Sequence, residues 1–200
     1  GVDRTLTKPV KKIPLILFVG RMVAEKGVLE LAEAASKILP QHPDWCICLV
    51  GAKGFEATNK SPYEQRVAKV LGPLGMQAQM TGFLPLAEVR DLQEQAAIIA
   101  CPSLWNDPMP RSVIEALTAG SALLTTRRGG IPEVAEGRAH IVDAPDADML
   151  ARSLQQLIAD DTYRHQLQQA AWNDYPFTAT QMAADAAAAR TAALSDVSDS

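Results

Sequence analysis

The chain lacks most of the features that set special protein classes apart. Three of its 200 residues are cysteine, an odd number and too few for a disulfide framework. Cys46 and Cys48 alternate within an apolar run, so both side chains face the same way. Core thiols account for them better than a disulfide or a metal, since ligand spacing is missing. His42, His140 and His165 are scattered, and no metal site is expected. No apolar run approaches the roughly 20 residues of a membrane span; residues 15–20 and 96–101 stop after about six. The opening Gly-Val-Asp-Arg-Thr-Leu-Thr-Lys-Pro lacks the apolar stretch of a signal peptide, and a cytoplasmic protein is expected. Nineteen Lys and Arg against 23 Asp and Glu give a formal net charge of -4. That balance provides no basic footprint for nucleic acid. Two phosphate cradles are also missing. No Gly-x-Gly-x-x-Gly follows an apolar run, no Gly-Lys-[Ser/Thr] occurs, and Gly51-Ala52-Lys53-Gly54 has the wrong spacing for either.

What is present is a core. Hydrophobic residues make up 48% of the sequence, enough for one full domain. Short apolar runs bounded by turn residues recur at 15–20, 45–51, 78–82, 96–101, 121–126 and 139–142, and their near-continuous apolarity suits strands covered on both faces. Helical patterns lie between them at 28–39, 63–74, 86–95, 111–119 and 147–159. Such alternation predicts an α/β fold, a doubly wound, mostly parallel sheet flanked by helices and built from right-handed crossovers. Beyond Asp161 the composition stays helical, with Pro176 separating a segment that ends near Tyr175 from an Ala-rich helix over 178–194. The expected organisation is therefore an entry segment over 1–13, the main domain over 14–175, and a C-terminal helix with a frayed tail over 176–200.

Ligands of an open parallel sheet bind beyond the carboxyl ends of its strands, where helix N-termini present unpaired N–H groups. The first strand ends at Gly20, followed by Arg21 and Lys26 and then Gly27 ahead of a helix. A guanidinium fork and an ammonium beside a helix start suit a diphosphate. The spacing alone suits a solvated turn equally well.

The second informative stretch is 102–120. Pro110 fits the first turn of a helix that stops at Gly120, which leaves Asp107 in the preceding loop and Glu115 more than a turn inside. Eight helical steps would put the two carboxylates about 80° apart around an axis; they converge only because Asp107 is off the helix. Asp107 before a proline also suits an N-cap or Asx-turn. Glu115 stands among Val113, Ile114, Ala116 and Leu117, where a buried carboxylate needs a hydrogen-bond partner, and a sugar diol is a fitting one.

These residues resemble one family: the retaining glycosyltransferases of family 4, or glycosyl transferases group 1, whose GT-B architecture joins two Rossmann-like domains. The resemblance runs in order from Pro14 to Phe177. It rests on Gly20, Arg21, Lys26 and Gly27; on Thr81-Gly82-Phe83; on Asp107 to Glu115 followed by Ala116 and Gly120; and on Gly129, Gly130, Ile131, Pro132 and Glu133. It implies that this is the C-terminal, nucleotide-sugar-binding half. Arg21 and Lys26 would be the catalytic cations, neutralising the donor diphosphate and the charge developing on the leaving nucleotide. Glu115 would accept from the ribose hydroxyls, and Asp107 would face the transferred sugar. Main-chain groups at Phe83 and Leu84 would meet the base. Gly20, Met109, Pro110 and Arg111 would line the donor site, and the Gly129-Gly130 turn would admit the main chain to the sugar or phosphate. Asp107 stands where the family most often has Glu, which shortens its reach, and Pro110 replaces a common Gly, which removes an N–H donor.

The resemblance further implies transfer of a hexose-type sugar from a UDP-sugar or GDP-sugar to an acceptor hydroxyl with retained configuration, without cofactor or metal. Gly1-Val2-Asp3 resembles the end of a preceding acceptor domain, so this half is expected to bind donor without turnover. Any contact with the inner face of a membrane would come through the missing half. A non-catalytic nucleotide-sugar-binding or regulatory module is the alternative. A nicotinamide-dependent oxidoreductase on the same general fold is disfavoured by the absent glycine fingerprint.

Overall fold

The structure is a computed structural model, described over residues 10–54, 60–106, 108, 111–173, 183–184, 186–188 and 190. Six strands form one sheet: β1 (Ile13–Val19), β2 (Cys46–Val50), β3 (Ala78–Gly82), β4 (Ala96–Cys101), β5 (Ala122–Thr126) and β6 (Ala139–Val142), in the order β3-β2-β1-β4-β5-β6. Every neighbouring pair is parallel. The register runs Leu15↔Cys46 to Val19↔Val50 across β1 and β2, and Ile98↔Ala122 to Cys101↔Thr125 across β4 and β5. This is the doubly wound α/β arrangement expected from the alternating pattern. The strand order reverses between β1 and β4, which opens a crevice at their carboxyl ends.

The sheet is covered by helices α1 (Val28–Ile38), α2 (Pro62–Leu71), α3 (Leu86–Gln95), α4 (Arg111–Thr118), α5 (Ile131–Ala135), α6 (Ala147–Ala159) and α7 (Asp161–Asn173). Because successive strand residues point to opposite faces, β1 divides its side chains between two cores. Ile16 and Phe18 join α1, α2 and α6 through Leu31, Val67 and Leu154. Leu15 and Leu17 join α4 and α5 through Val113, Leu117 and Ile131. Cys46 and Cys48 both lie on the second face, Cys48 buried and Cys46 packed at its edge. Burial on both faces explains why the central strands read as unbroken apolar runs, β4 and β5 being buried along their whole length.

Helix ends follow local chemistry. The Ser61 hydroxyl accepts from Glu64 N–H while the Glu64 carboxylate accepts from Ser61 N–H, a reciprocal cap that starts α2 with Pro62 in its first turn. Asp146 caps α6 by accepting from Met149 N–H at 2.7 Å. The helix expected over 63–74 stops at Leu71. Pro73 brings no N–H to continue it, and a 3-10 segment over Gly72–Gln77 takes over, with Gly75 at φ 54°. The helix expected over 28–39 likewise gives way to a 3-10 turn over Leu39–Gln41 that contains Pro40. Residues 1–9 and most of the helix expected over 178–194 lie outside the described residues. Among the described residues no helix is long and apolar enough to cross a membrane.

Candidate functional site

The crevice is assembled from the loops after β1, β4 and β5. Gly20 N–H donates to Val50 C=O at 3.0 Å, and Met22 N–H donates to Ala52 C=O at 3.1 Å, so the first loop leaves the sheet along β2. Met22 is buried while Arg21 is exposed. A 3-10 turn over Ala24–Lys26 leads to Gly27, which adopts left-handed φ 66°, ψ 27° and whose carbonyl accepts from Leu31 N–H at the start of α1. The loops are then stitched to one another. Leu104 N–H donates to Glu25 C=O at 2.8 Å. The Thr126 hydroxyl donates to Ser103 C=O at 2.7 Å, the Thr125 hydroxyl to Cys101 C=O at 2.9 Å, and Gly129 N–H to Asn106 Oδ1 at 3.2 Å. These bonds join three separate strands, so the rim of the crevice is set before any ligand arrives.

Between β1 and β4 lies a cavity of about 260 Å³. Its polar lining comes from Gly20, Lys26, Cys101, Ser103, Arg111 and Ser112, over an apolar floor of Phe18, Val19, Val113 and Ile131. Small-molecule pockets usually exceed roughly 300 Å³, so this one suits part of an extended ligand. The Cys101 thiol is pushed up to about 12, first by burial, with the Ser112 hydroxyl and the Lys26 charge pulling it down and the Glu115 charge raising it. Lys26 and Glu115, from two different elements, therefore both act on the same buried sulfur. A thiol held protonated in this way is a poor nucleophile, and the chemistry of the cavity is that of cationic and hydroxyl donors.

The expected site residues are distributed as follows. Gly20, Lys26 and Arg111 meet in the one cavity. Arg21 sits on the adjoining loop, outside its lining. Glu115 differs from expectation. Its neighbours Val113, Ile114, Ala116 and Leu117 are buried, but its own side chain is 31% exposed and pairs with Arg111, one turn earlier, at 3.7 Å. The helix turns it toward the rim instead of the core, so its partner in the free protein is a cation and not an enforced ligand. Phe83 is 54% exposed and Leu84 half-buried at the end of β3, and Gly82 C=O there accepts from Gly51 N–H at 2.8 Å. Gly129 is exposed with φ 51°, and Gly130 is buried ahead of α5. Asp107, Met109 and Pro110 lie outside the described residues. Three polar lining residues had not been expected: Cys101, Ser103 and Ser112. The strand-end rule that selected Gly20 would have selected Cys101 and Ser103 after β4; Ser112 carries no comparable sequence signal.

Residues 3–174 match the family model described as glycosyl transferases group 1. The alpha-maltose-1-phosphate synthase of Mycolicibacterium smegmatis is 31% identical over 160 residues, which cover 74% of this chain and 39% of that protein. The chain spans well under half the length of the curated relatives it matches. Among solved structures, the C-terminal domain of a glycosyl transferase group 1 family protein (LpcC) from Francisella tularensis is similar with a TM-score of 0.72 at 23% identity, covering 86% of this chain and 95% of that one. Anabaena Alr3699/HepE in complex with UDP-glucose gives a TM-score of 0.67 at 20% identity, over 80% of this chain and 43% of that one. At such identities the likeness is one of fold.

Proposed function

Because the chain belongs to the glycosyl transferases group 1 family, we propose that its crevice holds a nucleotide diphosphate sugar and serves transfer of a hexose-type sugar to an acceptor hydroxyl with retained configuration. The observation that carries this reading is the convergence of Gly20, Lys26 and Arg111 on one cavity at the β1/β4 reversal. Sheets of this order bind nucleotides at that point. Arg21 on the adjoining loop has no side-chain partner among the described residues, and the diphosphate supplies one.

In this reading Arg21 and Lys26 neutralise the diphosphate and the charge that grows on the leaving nucleotide. Glu115 exchanges its Arg111 pairing for the ribose hydroxyls, main chain near Phe83 and Leu84 meets the base, and Gly129 and Gly130 lie toward the sugar, with Asp107, Met109 and Pro110 contributing from the intervening loop. No resident cofactor is assigned, since the cations carry the charge. With Asp107 and Glu115 given donor-binding roles, the reading uses no enzyme nucleophile and draws its rate from leaving-group stabilisation in a closed cleft. In this reading the chain on its own binds donor without turnover; it covers well under half the length of the curated relatives it matches.

Calorimetric titration with UDP and with GDP tests the reading, alongside Arg21→Ala and Lys26→Ala. One nucleotide is expected to bind, and each variant is expected to weaken it by about tenfold, the scale of one charge-assisted contact. Absence of binding for both nucleotides at millimolar concentration, or affinities unmoved by either variant, would overturn it.

A further inference from the structure

Two consecutive arginines follow β5, and the fold treats them differently. The Arg127 guanidinium is satisfied by two carboxylates: Nε donates to Asp143 Oδ1 at 2.9 Å and Nη1 to Glu136 Oε2 at 2.8 Å. Arg128 has no carboxylate partner among the described residues. Among the described residues its side chain makes no ion pair or hydrogen bond, and its Nε is buried without an acceptor. The residue as a whole is half-buried, so it is the Nε–H that has given up water without gaining an acceptor, a loss that a new partner relieves. Unlike Arg127, it has no polar side-chain partner among the described residues.

The backbone around Arg128 is nonetheless fixed at the crevice. Its carbonyl accepts from Ile131 N–H at 3.0 Å, and Ile131 lines the cavity. The next residue, Gly129, donates to Asn106 on the β4 loop. Strands β1, β4 and β5 are successive neighbours, so the loop bearing Arg128 leaves the sheet about 10 Å from the loop bearing Arg21 and Lys26. A diphosphate clasped at β1 does not span that distance. The sugar attached to it does.

Resting on the donor-site reading above, we propose that Arg128 is a specificity-determining residue that reads a carboxylate on the transferred sugar, making the donor a nucleotide diphosphate uronic acid. The Nε/Nη edge of a guanidinium matches a carboxylate in bidentate fashion. Since Nε is closed to solvent at rest, the side chain turns outward on binding, which relieves the unpartnered donor as the new pair forms.

The test is calorimetry on the chain with UDP, UDP-glucose and UDP-glucuronate, or with GDP, GDP-mannose and GDP-mannuronate if the site takes guanine. Each is also titrated into Arg128→Met and Arg128→Lys, with thermal melting to establish that the variants fold. The acidic donor is expected to bind at least about tenfold tighter than its neutral counterpart, a ratio that falls to about one in Arg128→Met and to an intermediate value in Arg128→Lys, which keeps charge but loses the fork. If nucleotide binds but the two sugars bind alike, or the preference survives in Arg128→Met, the role of Arg128 is overturned while the donor site stands. If neither UDP nor GDP binds, the donor site fails and this proposal with it.

Discussion

Gly27 and Pro102 are in direct backbone contact: a Cβ added to Gly27 would lie 2.0 Å from the Pro102 carbonyl oxygen. The loop after β1 is thereby seated on the loop after β4, and the distance between Lys26 and the residues that follow Cys101 is set by the absence of a single side chain. Gly27 also sits at φ 66°, a conformation that costs an L-residue about 1–2 kcal/mol.

Gly27→Ala is therefore expected to destabilise the protein by roughly 2–4 kcal/mol, combining left-handed strain with the displacement of a packed backbone. Chemical denaturation measures the loss. The same variant is expected to bind nucleotide more weakly, because relief of the clash moves the β1 loop away from β4. Stability and affinity both near wild type would show that the two loops are not rigidly seated.

At the opposite pole of the sheet, Lys12 donates to Glu94 C=O at 2.7 Å, Ala119 C=O at 2.8 Å and Ser121 Oγ at 3.1 Å. Burial lowers its amine to about 8 from the ordinary 10.5, against the opposing pull of the Glu94 charge. A lysine whose folded value lies below its unfolded one releases its proton more readily when folded, so stability rises with pH between about 8 and 10.5. Denaturation midpoints across that window are expected to climb for the wild type relative to Lys12→Met. At neutral pH the variant is expected to be the weaker of the two by about 1–3 kcal/mol, since three acceptors lose their donor. Parallel profiles for the two proteins would contradict the assignment.

Much of this fold was legible because the strands are buried on both faces. A run such as that of β4 has no polar alternation to blur its limits, and its bounds at Ala96–Cys101 coincide with those read from the sequence. The five-residue α5 was missed, being too short to show a helical period. Within the site, Gly20 and Lys26 stood out by charge and by position at a strand end, whereas Arg111 came only from the family resemblance; the three line one cavity. Glu115 was misread because its buried neighbours suggested that it was buried too. The relation that decides its environment, an arginine four residues earlier on the same helix face, is itself written in the sequence. Arg128 carried no signal at all, since only the packed structure shows which of two adjacent arginines lacks a carboxylate partner among the described residues.

The three thiols are expected to separate by accessibility. Cys101 is buried and pushed up to about 12, Cys48 is buried and pushed up to about 11, and Cys46 is half-buried and raised less by burial. Titration of the native protein with a disulfide reagent near pH 8 is expected to label Cys46 first and Cys101 last, with all three reacting after denaturation. Rapid reaction at Cys101 in the native state would mean that the cavity wall opens, and with it the packing around Ser112.

Acid is expected to weaken the fold through His140. Its Nδ1 lies 3.1 Å from the Tyr163 hydroxyl and its Nε2 3.0 Å from the Ser153 hydroxyl, which ties β6 to both α6 and α7. Each hydroxyl can act as donor or acceptor, so the pair serves a neutral ring with one N–H and one lone pair. Burial lowers the imidazole below its ordinary 6.5. A group with a depressed folded value binds fewer protons in the native state, so stability is complete above 6.5 and drains away as pH falls below it. Denaturation followed from neutral pH down to about pH 5 should show the wild type losing stability faster than His140→Gln, whose amide also offers both a donor group and an acceptor but does not titrate. If both proteins weaken in parallel, carboxylates elsewhere govern the acid limb and His140 is only a strut.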